Sequence, residues 1–130
     1  MEPTEVVTGC GSDDVLDSAI RAVAEPGSIV AVPDPSFAMI PIFARMNGLE
    51  PVLVPLAGGT ALDADAMLAT GARVIYLCSP NNPTGNLLDA AAVERVVREA
   101  PGIVILDEAY AEFASHHGLG LLGLSERLLV

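Results

Sequence analysis

Arg73-Val74-Ile75-Tyr76-Leu77-Cys78-Ser79-Pro80-Asn81-Asn82-Pro83-Thr84-Gly85 is the stretch that decides the fold. Its first six residues are almost wholly apolar, with β-branched and aromatic side chains, the pattern of a parallel strand covered on both faces. Two prolines that fix φ, and a glycine that can take positive φ, then turn the chain sharply and hold it stiff. A buried strand running straight into a rigid polar turn places functional residues past the carboxyl end of a sheet.

Runs of the same kind occur at residues 5–8, 28–32, 51–56 and 102–106. Between them, Val15, Leu16, Ala19, Ile20 and Val23 share one helical face, as do Ala92, Val93, Val96 and Val97 within residues 89–100. Residues 36–47 form a third helical candidate closed by Gly48, and residues 63–70 a short fourth closed by Gly71. This alternation, with brief Pro/Gly loops, predicts an α/β layered fold with right-handed crossovers. No internal repeat or low-complexity linker is present, and Ala57-Gly58-Gly59-Thr60 is the only connector that looks flexible.

The chain has 130 residues, of which 52% are hydrophobic, enough for one domain with a real core. A net charge of −11, with six scattered arginines and no lysine, argues against nucleic acid as a partner, since phosphate backbones are bound by clustered cations. Cys10 and Cys78 lack metal-ligand spacing and are expected to be reduced, half-buried thiols. His116 and His117 are neighbours whose side chains point apart, so they read as a loop pair and no metal site is expected. The first residues carry no positive, apolar leader pattern, and no apolar run is long enough to span a bilayer; the expectation is a cytoplasmic protein with no membrane partner.

Four places could carry chemistry. Gly9-Cys10-Gly11-Ser12-Asp13 opens a helix, and backbone amides there suit a phosphate, with Ser12 a possible further donor; a plain N-cap is the alternative, as is an Asp13 carboxylate that caps the helix. The rigid turn after Cys78 would hold Asn82 in one pose, where its amide can donate to a phenolate oxygen, or it is simply a turn. Asp107 ends a strand and would project into a crevice, where a protonated pyridine nitrogen would offset the cost of partial burial; capping the next turn is the other role open to it. Tyr110 is near enough for its hydroxyl to reach the same crevice. Phe37, beyond another strand end, could stack on a flat heterocycle or pack as a staple.

Together these residues resemble the fold type I, aspartate-aminotransferase-like enzymes that depend on pyridoxal 5'-phosphate. The resemblance is closest to histidinol-phosphate aminotransferases, whose SPNNPTG and DEAY-EF blocks match residues 79–85 and 107–113, and it covers nearly the whole chain. It implies a mostly parallel sheet in a three-layer α/β/α large domain, here incomplete. It also implies that the amides of Ser12 and Asp13 contact the cofactor phosphate and that Phe37 replaces the stacking tyrosine. Asn82 and Tyr110 would then donate to the cofactor's 3' oxygen, and Asp107 would hold the ring nitrogen protonated. The family's Schiff-base lysine follows the next strand, for which Leu128-Leu129-Val130 looks like the beginning. The N-terminal segment, lysine region and C-terminal small domain would lie outside these residues.

The implied parent activity is transfer of an amino group between an amino acid or amino phosphate, histidinol phosphate being favoured, and a 2-oxo acid such as 2-oxoglutarate, by a homodimer. With no lysine, the chain alone is expected to be inactive. Residues 5–8, expected to be a strand, would lack the neighbour they have in the family, leaving the first helix poorly anchored and an edge exposed. Threonine-phosphate decarboxylases and aromatic aminotransferases share these blocks and remain alternatives as parents. A different class is a lysine-free cofactor-binding or remnant protein without chemistry. A coding frame that continues past Val130 into a Ser-Lys-Ala-type motif would favour the enzyme, and a stop the other class. A nucleotide-binding α/β domain is disfavoured because residues 9–14 lack the third glycine of GxGxxG and no GxxxxGK[ST] occurs.

Overall fold

The computed structural model of the chain describes residues 2–115 and 117–130. Helix α1 spans Gly11–Val23, and strand β1 (Ile29–Asp34) follows it. Then come α2 (Met39–Met46), β2 (Glu50–Pro55), α3 (Ala64–Ala69), β3 (Val74–Cys78), α4 (Ala90–Glu99), β4 (Ile103–Asp107) and the short β5 (Leu128–Leu129). Among the described residues the strands form a five-stranded sheet in the order β2-β1-β3-β4-β5, every pair parallel. The expected α/β architecture is therefore present.

Every residue of β3 is buried, as its unbroken apolar run requires at the centre of a sheet covered on both faces. Its side chains alternate. Ile75 and Leu77 pack with Met67, Val93, Val96 and Val97 of α3 and α4. Val74, Tyr76 and Cys78 pack on the other face with Leu16 and Ile20 of α1 and with Ile40 and Phe43 of α2. Asp63 and Asp89 cap α3 and α4, each accepting a backbone N–H at 2.9 Å from three residues on.

The order of strands reverses between β1 and β3. From β1 the chain crosses through α2 to β2 on one side, whereas β3 lies on the other side of β1 and the sheet grows away through β4. Loops leaving β1 and β3 at their carboxyl ends therefore diverge, opening the crevice where α/β sheets take their ligands. Helix α1 points its N-terminus at the same edge. Only residues 24–28 separate its C-terminus from β1, and Arg73 Nε, just before β3, donates to the Val23 carbonyl at 2.7 Å.

Several expectations are corrected. Residues 5–8 form no strand: a 3-10 turn covers Pro3–Glu5, and Val6 and Val7 lie exposed without a ladder partner among the described residues. A strand needs neighbours for its backbone groups, and β-branched residues alone do not supply them. Helix α1 is nonetheless well anchored, because Leu16 and Ile20 are buried against the sheet. Helix α2 begins at Met39 rather than at residue 36, its first turn set by the Ile40 amide donating to the Phe37 carbonyl. Residues 57–60 make a tight turn closed by two hydrogen bonds between Ala57 and Ala61, not a flexible connector. The thiols are not half-buried: both are free, Cys10 exposed and Cys78 buried. His116 lies outside the described residues.

Candidate functional site at the carboxyl edge of the sheet

The sheet register builds the site. Cys78 pairs with Asp107 across β3 and β4, so the turn that begins at Ser79 starts beside that carboxylate. The Ser79 amide donates to the Asp107 carbonyl at 3.0 Å and continues the ladder one step past the strand. The Asp107 side chain is half-buried, with one donor on each oxygen: the fully buried Tyr76 hydroxyl on Oδ2 at 2.7 Å and the Ala109 amide on Oδ1 at 3.0 Å. The Ala109 contact is the turn-capping role open to any aspartate here. The tyrosine contact was not foreseen. A carboxylate accepts about four hydrogen bonds, so both oxygens keep capacity for a further partner.

Two ionisable groups beside Asp107 are held in their neutral forms. Burial first, and then the Asp107 charge, push the Tyr76 phenol far above its ordinary value of 10.0. Burial, again followed by the Asp107 charge, pushes the Cys78 thiol up from 9.0, against weaker opposing hydrogen bonds. Both groups remain protonated donors, the thiol towards the Pro80 carbonyl at 3.3 Å.

Asn81, not Asn82, is the buried asparagine of the turn, 2% exposed. Its Oδ1 accepts the Ser36 hydroxyl at 2.9 Å, and its Nδ2 donates to the Pro35 carbonyl at 3.0 Å and to Thr84 Oγ1 at 2.8 Å. The loop after β1 is thereby tied to the turn after β3 across the crevice. Thr84 passes the network to Asn86, whose amide reaches the Thr60 carbonyl at 3.0 Å. Asn82 itself is half-exposed and free of this bracing role, and Phe37, in the loop that Asn81 holds, is half-buried against the α1/α2 side of the core.

The N-terminus of α1 is the third part of the site. Cys10 is the N-cap and makes no side-chain capping bond, while Ser12 and Asp13 are exposed in the first turn. The carboxylate that folds back is that of Asp14, which accepts the Cys10 amide at 2.8 Å. The first-turn amides of the helix thus have no side-chain cap. Tyr110 is 43% exposed in the turn beyond β4, followed by Phe113 at 86%. Register and chain direction bring Asp107, Asn82 and Phe37 to one edge, and Tyr110 follows Asp107 by three residues in the turn beyond it.

Two residues were missed in the sequence. Tyr76 offered a signal, since a hydroxyl inside an apolar run must find a partner, but which partner depends on register. Asn81 offered none, because nothing in two adjacent asparagines says which one faces inward.

The family model for aminotransferase class I and II matches residues 1–128. The chain belongs to the class I and II aminotransferases. It is 43% identical over 135 aligned positions to histidinol-phosphate aminotransferase 1 of Ralstonia nicotianae, covering 97% of this chain and 36% of that protein. Among solved structures it resembles N-succinyldiaminopimelate aminotransferase from Mycobacterium tuberculosis, with a TM-score of 0.78 and 32% identity over 91% of this chain and 34% of the other. It also resembles the histidinol-phosphate aminotransferase of Sinorhizobium meliloti in complex with pyridoxal-5'-phosphate, with a TM-score of 0.75 and 30% identity over 82% of this chain and 30% of the other. This aminotransferase chain spans about a third of the length of the relatives it matches.

Proposed function

We propose that the carboxyl edge of this sheet is the cofactor-binding part of a pyridoxal-5'-phosphate-dependent aminotransferase, and that the 130 residues are part of its large domain. The observation that carries the reading is the pairing of Cys78 with Asp107, which sets a half-buried carboxylate with spare acceptor capacity beside the rigid turn at the strand-order reversal.

The residues present fit the cofactor. Asp107 would hold a proton at the ring nitrogen, because a buried carboxylate is stabilised by a cationic partner. The Asn82 amide and the Tyr110 hydroxyl would donate to the 3' oxygen, and Phe37 would cover the ring face. The amides of Ser12 and Asp13, at a helix start with no side-chain cap, would hold the phosphate. When bound, the cofactor supplies an electron-withdrawing ring that stabilises negative charge at a substrate α-carbon.

A transaminase also needs a primary amine at the cofactor's carbon and a proton carrier beside it, and the chain has no lysine. The chain by itself therefore binds and does not catalyse. For the parent enzyme the names of the relatives support histidinol phosphate as a substrate; a 2-oxo acid as acceptor and a cytoplasmic homodimer complete the proposed reading. Among the described residues no helix is long and apolar enough to cross a membrane.

Titration of the purified chain with pyridoxal 5'-phosphate, followed by absorbance, tests this. Saturable binding that dialysis reverses is expected, weakened roughly tenfold in Asp107→Asn, equivalent to about 1.4 kcal/mol. No turnover of histidinol phosphate with 2-oxoglutarate should accompany it. Equal binding by wild type and Asp107→Asn would remove the reading, and a clear transaminase rate from the chain would refute the inactivity.

A further inference from the structure

An aspartate at a strand end has a broad terminal torsion, so its carboxylate plane is not fixed by its own backbone. Here two donors fix it from different directions. The Ala109 amide comes from the turn that follows β4 and holds Oδ1, while the Tyr76 hydroxyl comes from the neighbouring strand and holds Oδ2. Register explains the reach: Tyr76 pairs with Ile105, and Cys78 with Asp107, so the phenol extends along the sheet by two residues to meet the carboxylate.

Tyr76 is the only hydroxyl in a strand whose every residue is buried. A phenylalanine would fill nearly the same volume in the cluster with Leu16, Ile20 and Phe43. The hydroxyl adds one thing, a charge-directed hydrogen bond, and such bonds are about twice as strong as neutral ones. The phenol has a single proton to donate, and the bond that carries it runs to Asp107 Oδ2, with the Cys78 thiol as the hydroxyl's other hydrogen-bonding neighbour.

We propose that Tyr76 is the positioning residue of the site: from inside the sheet its hydroxyl fixes the rotation of the Asp107 carboxylate, so that its remaining acceptor capacity faces the cationic ring nitrogen it is to hold. The last clause rests on the function proposed above, whereas the coupling of Tyr76 to Asp107 does not. Tyr76 acts through Asp107 and does not itself reach the crevice. The Cys78 thiol is turned to the Pro80 carbonyl.

The test uses the purified chain as wild type and Tyr76→Phe, with the side-chain carboxyl carbon resonance of Asp107 followed at neutral pH. Loss of the donor that holds Oδ2 should move and broaden that resonance in Tyr76→Phe as the carboxylate gains rotational freedom. Pyridoxamine 5'-phosphate, which carries the ring nitrogen but no aldehyde, should bind the variant roughly tenfold more weakly. A tyrosine that merely fills the core would leave the Asp107 resonance in place, and that result overturns the proposal. Should Tyr76→Phe fail to fold, the Cζ resonance of Tyr76 answers the same question: it should move in Asp107→Ala, and an unmoved resonance overturns the proposal. If pyridoxamine phosphate binds neither protein while the Asp107 resonance moves as expected, the coupling stands and the cofactor reading falls.

Discussion

Tyr76 and Cys78 hold their protons more tightly in the folded chain than in the unfolded one, where they ionise near 10.0 and 9.0. For groups raised in this way, the stability they contribute is whole below the unfolded value and is lost as pH rises above it. The unfolding free energy from urea titrations should therefore stay level up to about pH 9 and then fall, by about 1.4 kcal/mol per pH unit for each group that has begun to ionise in the unfolded chain, with the midpoint falling in step. Tyr76→Phe should show a shallower fall. A midpoint unchanged at about pH 11 would contradict the burial of both groups. Asp107 was legible in the sequence because it closes an apolar run, and a carboxylate in that position needs a partner. Its protein partner was not legible, since the pairing of residue 76 with residue 105 is a property of the sheet.

At the scale of elements, the turn after β3 divides its labour between adjacent asparagines. Asn81→Ala would strand the acceptor and donor groups it joins at Pro35, Ser36 and Thr84, and a loss of about 2 kcal/mol in a denaturant unfolding experiment is expected. Asn82→Ala should cost little stability, because the Asn82 side chain is half-exposed and its contact with the Cys78 thiol is made by the backbone, which the substitution keeps. Equal losses in the two variants would reverse these roles. The helices were legible to within a few residues because caps such as Asp63 and Asp89 and closing glycines such as Gly48 act locally. The run at residues 5–8 misled for the opposite reason: its β-branched residues are local, but a strand exists only where a neighbour completes it.

Across the whole molecule, β1 and β3 anchor both layers, and the periphery is looser. Amide exchange should show strong protection from Leu16 to Ile20 in α1 and throughout β3, with almost none from Val6 to Gly9. Protection of Val6 and Val7 equal to that of α1 would show that they are paired in solution. The α/β class, and the carboxyl edge at which the candidate residues meet, followed from the alternation of apolar runs and helical faces. The order β2-β1-β3-β4-β5 did not, because it depends on close approaches such as that of Gly102 to Arg73. A Cβ at residue 102 would lie 2.2 Å from the Arg73 carbonyl oxygen. Among the described residues the ion pairs lie at the surface, with Asp17 the one partly buried member, so they add little to this architecture and bear mainly on solubility.

The buried amide of Asn81 also limits how this chain can be recombined with its relatives. Because Ser36, Pro35 and Thr84 meet on one side chain, the loops after β1 and β3 form a single exchange unit. A chimera that imports one loop without the other inherits a mismatched seam at Asn81, whereas one that moves both together keeps Phe37 and Asn82 in the loops that Asn81 joins.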